Sequence, residues 1–139
     1  RDMGAEPFLL SSTIAAVLAQ RLVRRLCPSC RRPYQPDASE RALMGISPDA
    51  DIVIYAPAGC GRCSQTGFEG RVGVYELVVA DEILRRLIHD NAGEQELAAH
   101  AFKRGETLAQ CGFRHVIAGV TSLDEVLRVV RQEEEDAGV

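Results

Sequence analysis

Four of the five cysteines in this chain fall into two short knuckles, Cys27-Pro28-Ser29-Cys30 and Cys60-Gly61-Arg62-Cys63, with 29 residues between them. A Cys-x-x-Cys pair places two thiolates on one turn. Two such pairs supply the four soft ligands of a closed tetrahedral site, the usual structural form of zinc. Neither knuckle brings a histidine or carboxylate that would leave a coordination position open for catalysis. Cys27, Cys30, Cys60 and Cys63 are therefore the candidate metal ligands, with zinc as the cofactor. The spacing leaves disulfides, a dithiol redox pair at each knuckle, or iron as alternatives.

Other chemistry is sparse. No Gly-x-x-x-x-Gly-Lys-[Ser/Thr] loop occurs, and the single lysine, Lys103, is followed by Arg104-Gly105-Glu106. Such a loop cradles phosphates with backbone N–H groups and reaches the terminal phosphates through its lysine. No Ser/His/Asp or paired-carboxylate arrangement replaces it, so neither a catalytic nor a nucleotide-binding residue is assigned in this chain. His89, His100 and His115 stand singly on expected helices without ligand spacing, and packing or surface roles are expected of them. Cys111, also on an expected helix, reads as a small buried hydrophobe.

Around the first knuckle lie Arg21, Arg24, Arg25, Arg31 and Arg32, with no acid among them. These arginines suit phosphate, whether of nucleic acid, a lipid headgroup or a nucleotide. They equally suit the net negative charge that four thiolates leave around a zinc ion. Both readings stay open.

Several elements must position these groups. Pro7 and the apolar residues Leu10, Ile14, Val17 and Leu18 predict a helix over 7–19. Residues 20–26 fit either a continued helix or a strand. Arg71–Val79, rich in β-branched residues, reads as a strand whose natural partner is Arg21–Leu26, with the cysteine insert at the tip of the pair. Residues 28–70 hold five of the six prolines. The large apolar side chains between Cys27 and Cys63 are few, so metal binding and folding of this stretch are expected to be one event. Replacing one cysteine is then expected to unfold it while the later helices persist. Asp81 caps a helix with Ile83, Leu84, Leu87 and Ile88 on its apolar face. Leu97, Ala98, Ala101 and Phe102 mark another, with Glu94 and Glu96 at its positive end and Lys103 and Arg104 at its negative end. Thr107-Leu-Ala-Gln110 and Ser122-Leu-Asp-Glu125 fit the capping box and open two more. Glu133–Asp136 reads as a solvated acidic tail.

The bulk properties set limits. At 139 residues and 46% hydrophobic content the chain makes one domain or two small ones, and 5% aromatics without tryptophan imply an aliphatic core. The net charge of −4 argues against a general nucleic-acid binder. Residues 1–70 carry eight arginines against seven acids, and 71–139 carry seven arginines and one lysine against thirteen acids. No apolar run is long enough to span a bilayer and no signal peptide is evident. With metal-type cysteine spacing this favours a cytoplasmic setting. The opening Arg1-Asp2-Met3-Gly4 suggests a piece of a longer protein, Gly4 reading as the cap of a preceding helix.

Together the segments Met3-Gly4-Ala5-Glu6-Pro7-Phe8-Leu9-Leu10-Ser11-Ser12, Ala19-Gln20-Arg21-Leu22-Val23-Arg24-Arg25-Leu26-Cys27-Pro28-Ser29-Cys30 and Gly59-Cys60-Gly61-Arg62-Cys63-Ser64-Gln65-Thr66-Gly67-Phe68-Glu69-Gly70-Arg71 closely resemble the C-terminal part of type II secretion and type IV pilus assembly ATPases. Gly73-Val74-Tyr75-Glu76-Leu77 and Gly119-Val120-Thr121-Ser122-Leu123-Asp124-Glu125-Val126-Leu127-Arg128-Val129 extend the likeness over essentially the whole chain. The resemblance implies an α+β fold in which a strand pair carries the tetracysteine zinc insert and a small all-helical subdomain follows. The whole would form the tail end of a RecA-like P-loop ATPase core. The divisions it implies are 1–26 for the end of that core, 27–70 for the zinc subdomain, 71–80 for the returning strand, 81–132 for the helical subdomain and 133–139 for the acidic tail.

ATP and Mg would belong to the whole protein only. The implied partners are further copies of the subunit in a hexamer and the cytoplasmic domain of an inner-membrane secretion component, with no nucleic acid. The implied location is cytoplasmic, peripheral on the inner membrane. The resemblance also favours the strand reading of Arg21–Leu26. Phe68 stands where tyrosine is common, and Cys111-Gly112 where an Asp-Gly turn is frequent. The arginine-rich runs look closer to the secretion branch than to the pilus branch. Outside this family, a stand-alone zinc ribbon gripping nucleic acid through its arginines and a dithiol redox module are the competing functions.

Overall fold

The expected strand pair forms, and it is longer at both ends than the sequence suggests. The computed structural model describes residues 3–103 and 105–137, so the readings placed on Arg1, Asp2 and Arg104 lie outside the described residues. Helix α1 (Pro7–Thr13) precedes strand β1 (Ala16–Leu26), and the short strand β2 (Arg32–Tyr34), helix α2 (Ala38–Met44) and strand β3 (Ile54–Ala56) follow. Strand β4 (Phe68–Val79) then leads to helices α3 (Glu82–His89), α4 (Glu94–Ala101), α5 (Leu108–Ile117) and α6 (Leu123–Ala137). The class is α+β. One two-stranded sheet pairs β1 with β4 and a second pairs β2 with β3.

The helix expected over 7–19 ends at Thr13. The hydroxyls of Ser11, Ser12 and Thr13 donate back to the carbonyls of Phe8 and Leu9, and Ile14 is already extended. Pairing with β4 claims the next residues: the Ala80 N–H donates to the Ala15 carbonyl at 2.9 Å, and at the other end the Cys27 N–H donates to Gly67 at 2.9 Å. Tertiary pairing thus overrides the helical spacing of Val17 and Leu18.

Contacts sort the chain into two units, residues 1–19 with 76–107 and residues 20–75 with 108–139. In the first, α1 lies on α3, where Phe8 meets His89 edge-on at 6.3 Å and Arg85 donates to the Ser11 and Ala80 carbonyls. Asp81 caps α3 as expected, accepting from the Leu84 N–H at 2.8 Å. His100, on α4, places Nε2 2.9 Å from both Asp81 oxygens, so the cap is held from a second helix.

The second unit holds two apolar clusters. Val23, Val74, Leu108, Cys111 and Val129 form one, and Ile54, Val116, Leu123 and Val126 the other, with Tyr34, Met44 and Ile52 packed against it. The cysteine insert therefore does not depend on its own few apolar residues alone, because Ile54 is buried among side chains of α5 and α6. Gly112 lies in mid-α5 rather than in a turn, which corrects the reading drawn from Cys111-Gly112. A Cβ there would stand 2.5 Å from Val126 Cγ1, so glycine lets α5 approach α6 closely. The expected acidic tail is also helical: α6 runs to Ala137, with Glu134, Glu135 and Asp136 exposed along it. Among the described residues no helix is long and apolar enough to cross a membrane.

Candidate metal centre

Each knuckle is a hydrogen-bonded turn. After the first, the Cys30 and Arg31 N–H groups donate to the Cys27 carbonyl at 3.4 and 3.1 Å. After the second, the Gln65 N–H donates to the Cys60 carbonyl at 2.9 Å, and Ser64 and Gln65 both take positive φ, at 54° and 64°. Residues other than glycine pay a strain cost in this region and hold it only where surroundings over-determine it. The consequence here is a chain reversal that aims backbone N–H groups at sulfur. The Cys60 and Gly67 N–H groups each donate to Cys63 Sγ at 3.2 Å, and the Gly59 N–H donates to Cys30 Sγ at 3.3 Å.

The four sulfurs come together as the spacing predicts. Cys27 and Cys60 are 3.8 Å apart, Cys30 and Cys63 3.8 Å, and Cys60 and Cys63 3.7 Å, and all four lie within 4.8 Å of one another. All are free thiols, with Cys27 and Cys63 buried and Cys30 and Cys60 half-buried. Such a cluster could hold a metal ion.

Sulfur environments differ within it. At Cys63 burial opposes ionisation, but the N–H donors of Cys60 and Gly67 and the neighbouring thiols outweigh it and bring the group down to about 6. At Cys30 the Gly59 N–H favours the thiolate, but burial and the thiols of Cys63, Cys27 and Cys60 push it up to about 11. Backbone donors thus favour the thiolate form at Cys63 more than at Cys30.

Three of the five arginines around the first knuckle are engaged with other partners. Arg21 reaches Asp136 at 3.8 Å. Arg24 is bidentate on Glu125, through Nη2 at 2.7 Å and Nε at 3.1 Å, and lies 4.0 Å over the Phe68 ring. Arg31 donates to the Gly119 carbonyl and stacks 4.3 Å over Tyr55. Arg25 and Arg32 are exposed. The guanidinium whose charge is held up by Cys27 and Cys60 is Arg62, inside the second knuckle, after its stronger bond to Glu69. Its place between two candidate ligands was the available signal.

Glu125 is the residue that sequence reasoning assigned to the wrong task. Ser122 does cap α6, its Oγ 3.4 Å from the Glu125 N–H. The Glu125 side chain instead turns to β1, accepting from the Arg24 N–H at 2.9 Å and from Arg128 at 3.2 Å. Burial alone would raise its carboxyl, but the side-chain and backbone bonds from Arg24, with Arg128, hold it below the usual range. With the Leu26 N–H on Val120 at 2.8 Å and Thr121 Oγ1 on the Arg24 carbonyl at 2.7 Å, the α5–α6 connection satisfies the outer edge of β1 beside the first knuckle.

Asp37-Ala-Ser-Glu40 carries a further local signal. It forms a full capping box that starts α2, and Gly45 ends that helix in the left-handed region. Glu40 also accepts from Tyr34 Oη at 2.9 Å, and burial followed by this bond raises the phenol above its ordinary range.

The sequence model of the family described as Type II/IV secretion system protein matches residues 1–128. The chain belongs to this family. It is 52% identical over 132 residues to the type II secretion system protein E of Pseudomonas aeruginosa, covering 95% of this chain and 26% of that protein. The type II secretion system ATPase E of Vibrio cholerae is 43% identical over 132 residues, again 95% of this chain and 26% of that protein. The type IV pilus assembly ATPase TfpB of Acinetobacter baylyi is 42% identical over 134 residues, 93% of this chain and 23% of that protein. This member of the Type II/IV secretion system family thus spans about a quarter of the length of the curated relatives it matches.

Proposed function

We propose that this chain is the C-terminal part of a type II secretion ATPase and that its four cysteines hold a structural zinc ion. The convergence of four sulfurs in a family member carries the reading. Zinc–sulfur bonds of about 2.3 Å at tetrahedral angles separate the sulfurs by about 3.8 Å, and the closest pairs here are at 3.7 and 3.8 Å. Four thiolates fill the coordination shell, so the metal supplies a cross-link and no reactive water. Cys27 and Cys30 follow the end of β1, and Cys60 and Cys63 precede the start of β4. A metal bound by all four fixes where that strand pair begins.

In the whole protein, ATP and Mg would bind in the remainder of the polypeptide, and hydrolysis would drive pseudopilus assembly and protein export across the outer membrane. The subunits would form a hexamer in the cytoplasm, held at the inner membrane by the cytoplasmic domain of a secretion component. This chain would contribute the zinc clip and surfaces for coupling. The likeness to the pilus assembly ATPase of A. baylyi supports a pilus motor as the second reading.

Elemental analysis of the purified chain is expected to give one zinc per chain, with four thiols unreactive until a chelator is added. The chain alone is expected to hydrolyse no ATP. Thiols that react freely without a chelator would overturn the zinc reading. Protein-dependent hydrolysis would overturn the assignment of the catalytic centre to the rest of the polypeptide.

A further inference from the structure

Beside the cysteine cluster, and within the same unit, lies a cavity of about 360 Å3 lined by three arginines, Arg25, Arg31 and Arg62, and by one carboxylate residue, Glu69. The three are held differently. Arg62 is committed: Nε and Nη2 meet Glu69 at 2.7 and 3.0 Å, and Nη1 reaches Ser29 Oγ at 3.4 Å. Arg31 is fixed in place by Tyr55 under its face and by the Gly119 carbonyl on Nη1, which leaves its other N–H edges available. Arg25 is exposed, lies against Gly70, and acts on Glu69 through its charge.

From this arrangement we propose that the cavity is a binding site for a phosphate-bearing anion, with Arg31 as its preorganised anchor and Arg25 as the arm that closes on it. A guanidinium fork offers parallel N–H donors that suit phosphate oxygens, and a tetrahedral anion can accept from two forks at different angles. Arg31 loses little conformational freedom on binding because its ring stack and carbonyl bond already hold it. Glu69 is the built-in competitor, occupying Arg62 while the site is empty of ligand. A thiolate cluster around a metal would weaken the positive field behind the cavity, so recognition rests on the donor geometry more than on net charge. The cavity has room for a diphosphate as well as for a single phosphate, so both serve as probes of the site.

The test titrates pyrophosphate, inorganic phosphate and ADP separately into the metal-loaded chain at low salt, followed by calorimetry and by backbone amide shifts. Pyrophosphate is expected to bind one-to-one, to shift residues around Arg31 and Gly119, and to weaken as salt rises. Arg25→Gln is expected to weaken it about tenfold, the loss of one charge-assisted contact. Glu69→Gln is expected to tighten it. Arg131→Gln, an exposed arginine on α6, is the control and is expected to change nothing. Equal binding of ADP would identify the ligand as the phosphate end of a nucleotide, and failure of ADP alone would identify it as a small inorganic anion. The proposal is overturned if pyrophosphate produces neither heat nor shifts at low salt, or if Arg131→Gln weakens binding as much as Arg25→Gln. Metal content measured on every variant separates loss of the site from loss of the fold.

Discussion

The two units of this chain hold themselves together by different means. In the unit of residues 20–75 and 108–139, the sulfur cluster, two aliphatic clusters and a buried carboxylate lie close in the same fold. Val23, Ile54, Val74, Val116 and Val126 are all fully buried there. In the unit of residues 1–19 and 76–107, the buried residues among those described are Ser11, Ala80 and Leu84, while Phe8, Leu9, Leu18, Val79 and Ile83 are more than half exposed. A side chain of this size contributes about 1.5–3 kcal/mol when fully buried, so within this chain these exposed side chains add little to stability. The contrast shows that burial within this chain does not follow helix content, since the unit with fewer buried side chains is also rich in helix. Amide hydrogen exchange is expected to reflect it, with slow exchange at Val23, Val74 and Val126 and fast exchange through α1 and α4.

The largest test of the comparison removes the cross-link. Structural zinc contributes on the order of 10–16 kcal/mol in small peptides, which rivals the whole stability of a domain. Cys63→Ser is therefore expected to lose the metal and the exchange protection of Ile54. Because Ile54 shares its cluster with Val116 and Val126, protection in α5 and α6 is expected to fall as well, while α3 in the other unit stays capped. This revises the expectation that every helix after Asp81 would persist. Retained protection at Val126 in a metal-free variant would show that the aliphatic clusters hold the unit without the clip.

Glu125→Ala comes next. It leaves the Arg24 N–H without an acceptor and removes charge-assisted bonds to two arginines, a loss of about 3 kcal/mol. Thermal unfolding followed in the strand pair measures it. The same carboxylate predicts a pH dependence. Its value is depressed in the folded state, so its contribution is complete above the ordinary carboxylate range and disappears as pH falls through the folded value. The wild-type midpoint should therefore fall on acidification more than that of Glu125→Gln, and parallel curves would remove Glu125 from the account.

Smaller effects sharpen the comparison further. Gly112→Ala presses a methyl group on Val126. Overpacking of about 1–3 kcal/mol is only partly offset by the roughly 1 kcal/mol that alanine gains in a helix, so a net loss of about 1 kcal/mol is expected in chemical denaturation. Asp81→Ala removes the α3 cap and the His100 contact, costing about 1 kcal/mol. That change should appear in α3 exchange and leave Ile54 unaltered.

Much of this molecule is legible in its residues. The Cys-x-x-Cys spacing identifies the four sulfurs that converge, because a knuckle is a local turn whose geometry depends on a few neighbours. The β-branched run from Arg71 to Val79 gives its strand, and Asp81 and Ser122 mark helix starts, since caps also act within one turn. Asp37 and Glu40 obey the same local rule, and the box they form was readable although the proline-rich setting obscured it.

The tertiary structure decided the rest, wherever distant groups competed for one segment. β4 drew Ala16–Ala19 out of a helical pattern. Glu125 left its capping box because the Arg24 N–H and guanidinium, far away in sequence, offered stronger bonds. Ile54 found its core in helices that follow it by more than fifty residues. Arg25 and Arg31 were brought together with Arg62 on one cavity by the return of β4. Sequence alone determined which atoms could bind a metal, because that chemistry is written in residue type and short spacing. Only the folded chain decided what surrounds those atoms, because packing is settled by non-local contacts that no local pattern records.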